Sequence, residues 1–273
     1  MDKFDGTYFK HQKGGRSLAI VAGTGLDHAF LQVLGPGTSL YFRYPLSLYV
    51  PGETVKIGGS LFSRDGVSVR AQGPDGSVCG DLRYTEQTPL RYDIMGPFRF
   101  LPMQCRHRIV SLHHRLSGSL AIDGETVDLT GGIGYMEGDS GRSFPKRYAW
   151  IQCNDFPEKA CVTVSVADIP LGRMSFRGCI GVLYFHGAEH RLATYLGARV
   201  LVCAENRIVL RQGALCLEIE IDGGAGQKLL APAEGKMVRE IRERLSCGAH
   251  FQLTRDGKVL FEQASGGASF EYT

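Results

Sequence analysis

The chain has 273 residues, with 31 lysines and arginines against 28 aspartates and glutamates, so its formal net charge is only +3 and its basic residues are dispersed. That excludes the concentrated positive surface of a nucleic-acid binder. The opening Met-Asp-Lys-Phe-Asp is charged and no apolar run approaches the ~18 residues a membrane span needs, so a soluble, unexported, cytoplasmic protein is expected, with peripheral membrane contact left open and the oligomeric state unknown.

Thirty-six glycines announce many turns. Between them, short alternating runs recur at residues 16–22, 39–44, 67–71, 103–112, 147–153, 161–167 and 207–222. Spacing of this kind is that of an all-β sandwich or barrel. Eight cysteines occur, none in a Cys-x-x-Cys or Cys-x4-Cys unit, so a structural metal site is not indicated and reduced thiols are expected.

In chain order, the first run with chemical content is 103–114. Its period of two puts Cys105, His107, Ile109, Ser111 and His113 on one side and Gln104, Arg106, Arg108 and Leu112 on the other. Ligands two residues apart on a strand sit about 6.5–7 Å apart, so polar pocket lining or buried hydrogen bonding is preferred to a metal site, with His107 the leading functional member.

Next comes 134–154, where two carboxylates, the one tryptophan and two amides gather. Glu137 and Asp139 are expected in a glycine-flanked turn. Beside apolar or aromatic walls a carboxyl keeps its proton more readily, which suits a general acid. The alternative is structural: Asp139 capping backbone amides and Glu137 pairing with Arg142, Lys146 or Arg147. From Arg147 the segment alternates, placing Tyr148, Trp150, Gln152 and Asn154 on one face and Ala149, Ile151 and Cys153 on the other. Two amides on an aromatic face point to a polar-ended pocket wall. The turn-rich stretch 154–159 then offers a domain break, dividing the chain into 1–155 and 156–273.

His186-Gly-Ala-Glu-His190 has the spacing of a zinc-peptidase string, yet Gly187 and the flanking strand-like runs make it a hairpin turn. Residues 207–222 read as a hairpin about Gln212-Gly213, with Leu215, Leu217, Ile219 and Ile221 on one face. The glycine-rich 222–228 lacks the Gly-Lys-Ser/Thr ending of a phosphate loop. Residues 236–245, with Met237, Ile241 and Leu245 four apart, make the best case for a helix, although the segment is also compatible with an extended one.

Glu137, Gly141, Ser143-Phe144-Pro145, Tyr148, Trp150 and Gln152-Cys153-Asn154 together resemble the signature of the tocopherol cyclase family. Phe4-Asp-Gly-Thr-Tyr-Phe-Lys10, Met95-Gly-Pro-Phe98, 103–111 and 193–198 are similar to other segments of that family, with Thr7 and Gln104 departing from its usual tryptophan and glutamate. The resemblance implies relatedness to carotenoid hydratase-like proteins and hence an all-β fold of two consecutive lipocalin-like antiparallel β-barrels with few short helices. It implies a cyclase without cofactor or metal, acting on an amphipathic isoprenoid or lipid-like molecule such as a prenylated quinol. Glu137 or Asp139 would donate a proton to an alkene, Tyr148 and Trp150 would stabilise the cation, and Gln152, Asn154, His107 and Tyr8 would contact the substrate. A non-catalytic carrier of a hydrophobic ligand, or a hydratase or isomerase using the same cavity, are the competing readings.

Overall fold

The structure is a computed structural model that describes residues 3–171 and 174–273. Its first sheet contains β1 (Phe4–Lys13), β2 (Arg16–Thr24), β3 (Ala29–Gly35), β4 (Thr38–Tyr44), β5 (Tyr49–Val50), β6 (Thr54–Ile57), β7 (Ser60–Ser63), β8 (Gly66–Gly73), β9 (Gly76–Thr85), β10 (Cys105–Ile122), β11 (Glu125–Asp128) and β12 (Ile133–Gly141). They pair in the order β4-β3-β2-β1-β12-β10-β9-β8-β7-β6-β5, with β11 beside β10. The second sheet contains β13 (Tyr148–Cys153), β14 (Cys161–Leu171), β15 (Met174–Phe185), β16 (Ala188–Arg191), β17 (Arg199–Ala204), β18 (Arg207–Gln212), β19 (Leu215–Ile221), β20 (Gln227–Ala233), β21 (Lys236–Arg255) and β22 (Lys258–Tyr272). Its order is β16-β15-β14-β13-β22-β21-β19-β18-β17, with β20 beside β21. Among the described residues the helical segments are short 3-10 turns, such as Leu46–Leu48 and Gly96–Phe100. The expected fold class is the one observed: all-β, two antiparallel lipocalin-like sheets, few short helices. No helix among the described residues is long and apolar enough to cross a membrane, and no disulfide joins the eight cysteines.

Two compact units emerge. The first takes the chain up to Arg91, Gln104–Phe144 and Leu229–Glu240; the second takes Tyr92–Met103, Pro145–Lys228 and Ile241–Thr273. Each has its own core. Phe9, Ile20, Leu31, Val33, Val69 and Met136 belong to that of the first unit, and Ala149, Ile151, Val164, Leu217, Phe251 and Phe270 to that of the second.

Two expectations need correction. The strand Tyr148–Cys153, expected to close the first β unit at residue 155, pairs instead with β14 and β22 in the second sheet. The turn-rich stretch 154–159 is therefore the loop of a hairpin. Proline, asparagine and aspartate mark a reversal of the chain, and a reversal inside a sheet has the same composition as one between domains. Residues 236–245 are not helical but extended, as the first half of β21. A spacing of four puts Met237, Ile241 and Leu245 on one face in either conformation, because four is a multiple of the strand period as well as close to the helical one.

The hairpin readings hold. His186 and Gly187 both have positive φ (48° and 76°) between β15 and β16, the backbone of a two-residue type I′ turn. The other hairpin pairs Gln212 with Leu215, so its loop is Gly213-Ala214, one residue beyond the expected position.

Candidate functional site

The site begins with the pleat. On an antiparallel ladder, residues directly opposite one another project to the same face. Phe9 of β1 lies opposite Met136 of β12, and both enter the core of the first unit. Their neighbours therefore face the other way: Tyr8 opposite Glu137, and Lys10 opposite Tyr135. On the far side of β12, β10 sets His107 opposite Asp139 and Ile109 opposite Glu137. Tyr8, His107, Glu137 and Asp139 thus share one face of the three central strands.

Glu137 and Asp139 are accordingly not in a turn. They sit within the ladder, and the glycines around them serve a different purpose from the one expected. A Cβ on Gly134 would fall 2.2 Å from Nε2 of His114, and one on Gly138 would fall 2.6 Å from Cζ of Arg108. These glycines make room for large side chains from the neighbouring strand. The alternation expected over 103–114 is also only partly kept. Cys105, His107 and Ile109 follow it, but register shifts between Ile109 and Ser111 and between Ser111 and His114 break it. Such bulges re-aim side chains, and no simple period anticipates them.

The geometry at the centre is specific. Nδ1 of His107 lies 3.0 Å from Oδ1 of Asp139 and Nε2 lies 3.4 Å from Oε2 of Glu137. One imidazole thus stands between two carboxylates. Glu137 is only 4% exposed and His107 9%, and the hydroxyl of Tyr135 donates to Oε2 of Glu137 at 2.5 Å. Burial alone would lower the pKa of His107, yet the charges of Glu137 and Asp139 and the hydrogen bond to Asp139 raise it to about 9. At neutral pH the ring is an imidazolium bonded to Asp139 and facing Glu137. In β3, Gln32 exchanges two hydrogen bonds with the backbone of Leu230, each 2.8 Å.

His107, Glu137 and Asp139 offer donor atoms all within 4.8 Å of one another, a set with the chemistry to hold a cation. As arranged, however, the two ring nitrogens address different carboxylates. Asp139 is hydrogen-bonded to Nδ1 and Glu137 faces Nε2, an arrangement chemically able to move a proton between ring and carboxylate.

The remaining candidates lie in the second unit. Ala149, Ile151 and Cys153 enter its core, so Tyr148, Trp150 and Gln152 project to the opposite face, as the alternation expects, while Asn154 lies just beyond the end of the strand. All four are buried. Trp150 stands opposite Ser165 and Glu271, and Gln152 opposite Thr163 and Ser269. The hydroxyl of Tyr148 donates to Oε2 of Glu271 at 2.5 Å, and Glu271 is in turn opposite Glu243, which is fully buried. The acids and the tryptophan that are neighbours in sequence are therefore divided between two sheets.

Tyr135, Lys10, Glu243 and Glu271 were not anticipated. For Glu271 a signal existed: Phe270 is strongly apolar at a strand-like end, so the next residue must face away from the core. For Lys10, fully buried in β1, composition gives none, since lysines are almost always exposed.

Comparison with known proteins supports the sequence resemblance. Residues 83–190 match the family described as Tocopherol cyclase-like, a span that contains every candidate except Tyr8. No curated protein sequence matches. Among solved structures, a putative AttH from Nitrosomonas europaea aligns with a TM-score of 0.55 at 13% identity, covering 99% of this chain and 92% of that one. Kievitone hydratase from Nectria haematococca aligns with a TM-score of 0.56 at 12% identity, covering 100% and 89%. CghA gives a TM-score of 0.59 at 10% identity, covering 98% and 87%. At these identities the likeness is one of fold.

Proposed function

We propose that the protein is an acid–base enzyme, similar to tocopherol cyclases, that cyclises a prenylated quinol or a related amphipathic isoprenoid without redox chemistry. The observation that carries this reading is the ring of His107 held between Asp139 and Glu137 on a buried face.

An imidazolium beside a carboxylate differs by one proton position from a neutral imidazole beside a carboxylic acid. Passing the Nε2 proton to Oε2 of Glu137 creates the acid that alkene protonation requires. Asp139 keeps the ring oriented throughout, and Tyr135 holds the carboxyl group. The protonated alkene becomes a tertiary cation, to which the nearby ring of Tyr8 offers its face. The phenolic oxygen of the same substrate then bonds to that carbon and releases its proton to Glu137. The proton returns to His107, and substrate and product are isomers.

The test is conversion of a prenylated hydroquinone to its isomeric chromanol, followed by chromatography, in the parent and in Glu137→Gln and Asp139→Asn. Loss of product in Glu137→Gln, with a smaller loss in Asp139→Asn, supports the assignment. Conversion at the parental rate by both variants overturns it.

A further inference from the structure

The strands that carry His107 and Glu137 have a second face. Arg108, Val110 and Met136 alternate with His107, Ile109 and Glu137, and they border a cavity of 320 Å³ inside the first unit. Its body is apolar, walled by Phe9, Ala22, Val55, Phe62, Val110 and Met136. Its polar groups include Asp5, Thr7, Ser63 and Arg108, with Tyr49, Glu53 and Arg64 also on the lining. Nη2 of Arg108 donates to Oδ1 of Asp5 at 2.7 Å and to Oγ1 of Thr7 at 3.1 Å. Thr7, the departure from the family's tryptophan, thus lines the cavity and helps hold the arginine.

We propose that this cavity is a binding site for an uncharged amphipathic molecule, an alkyl or alkenyl body of about ten non-hydrogen atoms bearing one hydroxyl group. The size follows from the volume, at roughly 30 Å³ for each water-sized group. The class follows from the charges. Two carboxylates, Asp5 and Glu53, are balanced by two guanidinium groups, Arg64 and Arg108, and Arg108 is already paired with Asp5. A carboxylate head would compete with Asp5 for Arg108, and an ammonium head would compete with Arg108 for Asp5. A hydroxyl can accept from Arg108 and donate to Asp5, joining the pair without breaking it.

Tyr49 and Pro51 also line the cavity, and Leu46, Leu48 and Val50, near them in sequence, are 43%, 46% and 54% exposed; exposed apolar side chains of this kind suit a guest with poorly hydrated surface of its own. The site lies across the β10–β12 wall from His107, and it does not rest on the proposed chemistry.

The experiment titrates 1-nonanol, nonanoate and nonylammonium separately into the full chain, observed by NMR of the methyl groups. Saturable binding of 1-nonanol, at least about tenfold tighter than either ion, with shifts at Val55, Val110 and Met136, is expected. Filling the cavity by Ala22→Leu weakens nonanol at least about tenfold. Because Ala22 is also a core residue, Val55→Phe at a partly buried position is the second variant, with the same expected loss. Absence of saturable binding, tighter binding of either ion, unchanged affinity in Val55→Phe, or shifts centred on Ile109 and Tyr135 overturns the proposal. Quinol turnover by Glu137→Gln reads the proposed chemistry separately, so either reading can fail while the other stands.

Discussion

Oε2 of Glu137 lies 3.4 Å from Nε2 of His107, brought there by the pairing of β12 with β10. The relationship sets a buried carboxylate beside a histidine ring that Asp139 also contacts. Removing the charge of Glu137 should release His107. In Glu137→Gln the histidine midpoint, followed by NMR of the ring protons, is expected to fall from about 9 to about 8 or lower, since a favourable buried charge is lost. An unchanged midpoint would show that Asp139 alone holds the proton.

Stability on the alkaline side follows with a definite sign. The folded pKa of His107, about 9, stands above the unfolded value near 6.5. Its pairing therefore contributes fully below about pH 6.5 and is lost as the pH rises through 9. Urea midpoints measured from pH 6.5 to 10 should decline over this window, and less so in His107→Gln.

The acid side is governed by other residues. His11 and His114 flank Tyr84: Nε2 of His11 lies 2.6 Å from the Tyr84 hydroxyl and the ring of His114 is 4.4 Å from the tyrosine ring. Burial lowers each histidine to about 3. With folded values below the unfolded one, both contribute stability that is complete above about pH 6.5 and lost as the pH falls toward 3. The loss should reach several kcal/mol, because each tenfold weakening of proton affinity on folding corresponds to about 1.4 kcal/mol, and denaturant midpoints from pH 7 to 4 measure it. Replacing His114 by phenylalanine should flatten that dependence, whatever it does to stability at pH 7.

Gly134 and Gly138 separate two kinds of crowding. A methyl group on Gly134 meets the ring of His114, which is fully buried and packed at a tilt against Tyr84. One on Gly138 meets the guanidinium end of Arg108, whose side chain is 39% exposed. Gly134→Ala is expected to cost about 1–3 kcal/mol by overpacking and Gly138→Ala clearly less. Thermal melts that rank them in reverse order contradict this expectation.

Tyr148 and Glu271 are joined by the closure of β13 on β22. Tyr148→Phe removes the donor and leaves a buried carboxylate oxygen with one bond fewer, which should cost about 1–3 kcal/mol. Glu271→Gln retains an acceptor at that position and should cost less. Equal losses in chemical denaturation would argue that the hydrogen bond contributes little.

How far these features were legible depends on the range over which they are written. The face shared by Tyr148, Trp150 and Gln152 could be read because a strand has a period of two and Ala149, Ile151 and Cys153 are small or apolar. The hairpin at His186-Gly187 could be read because its turn requires positive φ. The environment of Glu137 could not: its glycines looked like turn formers, and only the opposite strand shows that they accommodate His114 and Arg108. The break at 154–159 misled for the related reason that a turn does not state which strands it joins.

Taken alone, the order of residues determined the all-β class, most strand faces and the family resemblance, because pleat and turn chemistry act within a few positions along the chain. Tertiary structure decided that Glu137 and Asp139 enclose His107, that Trp150 stands in the other sheet beside Glu271, and that Arg108 and Thr7 border a cavity. Those outcomes depend on register and bulges between strands distant in sequence, and on which strands a turn connects, neither of which local pattern specifies.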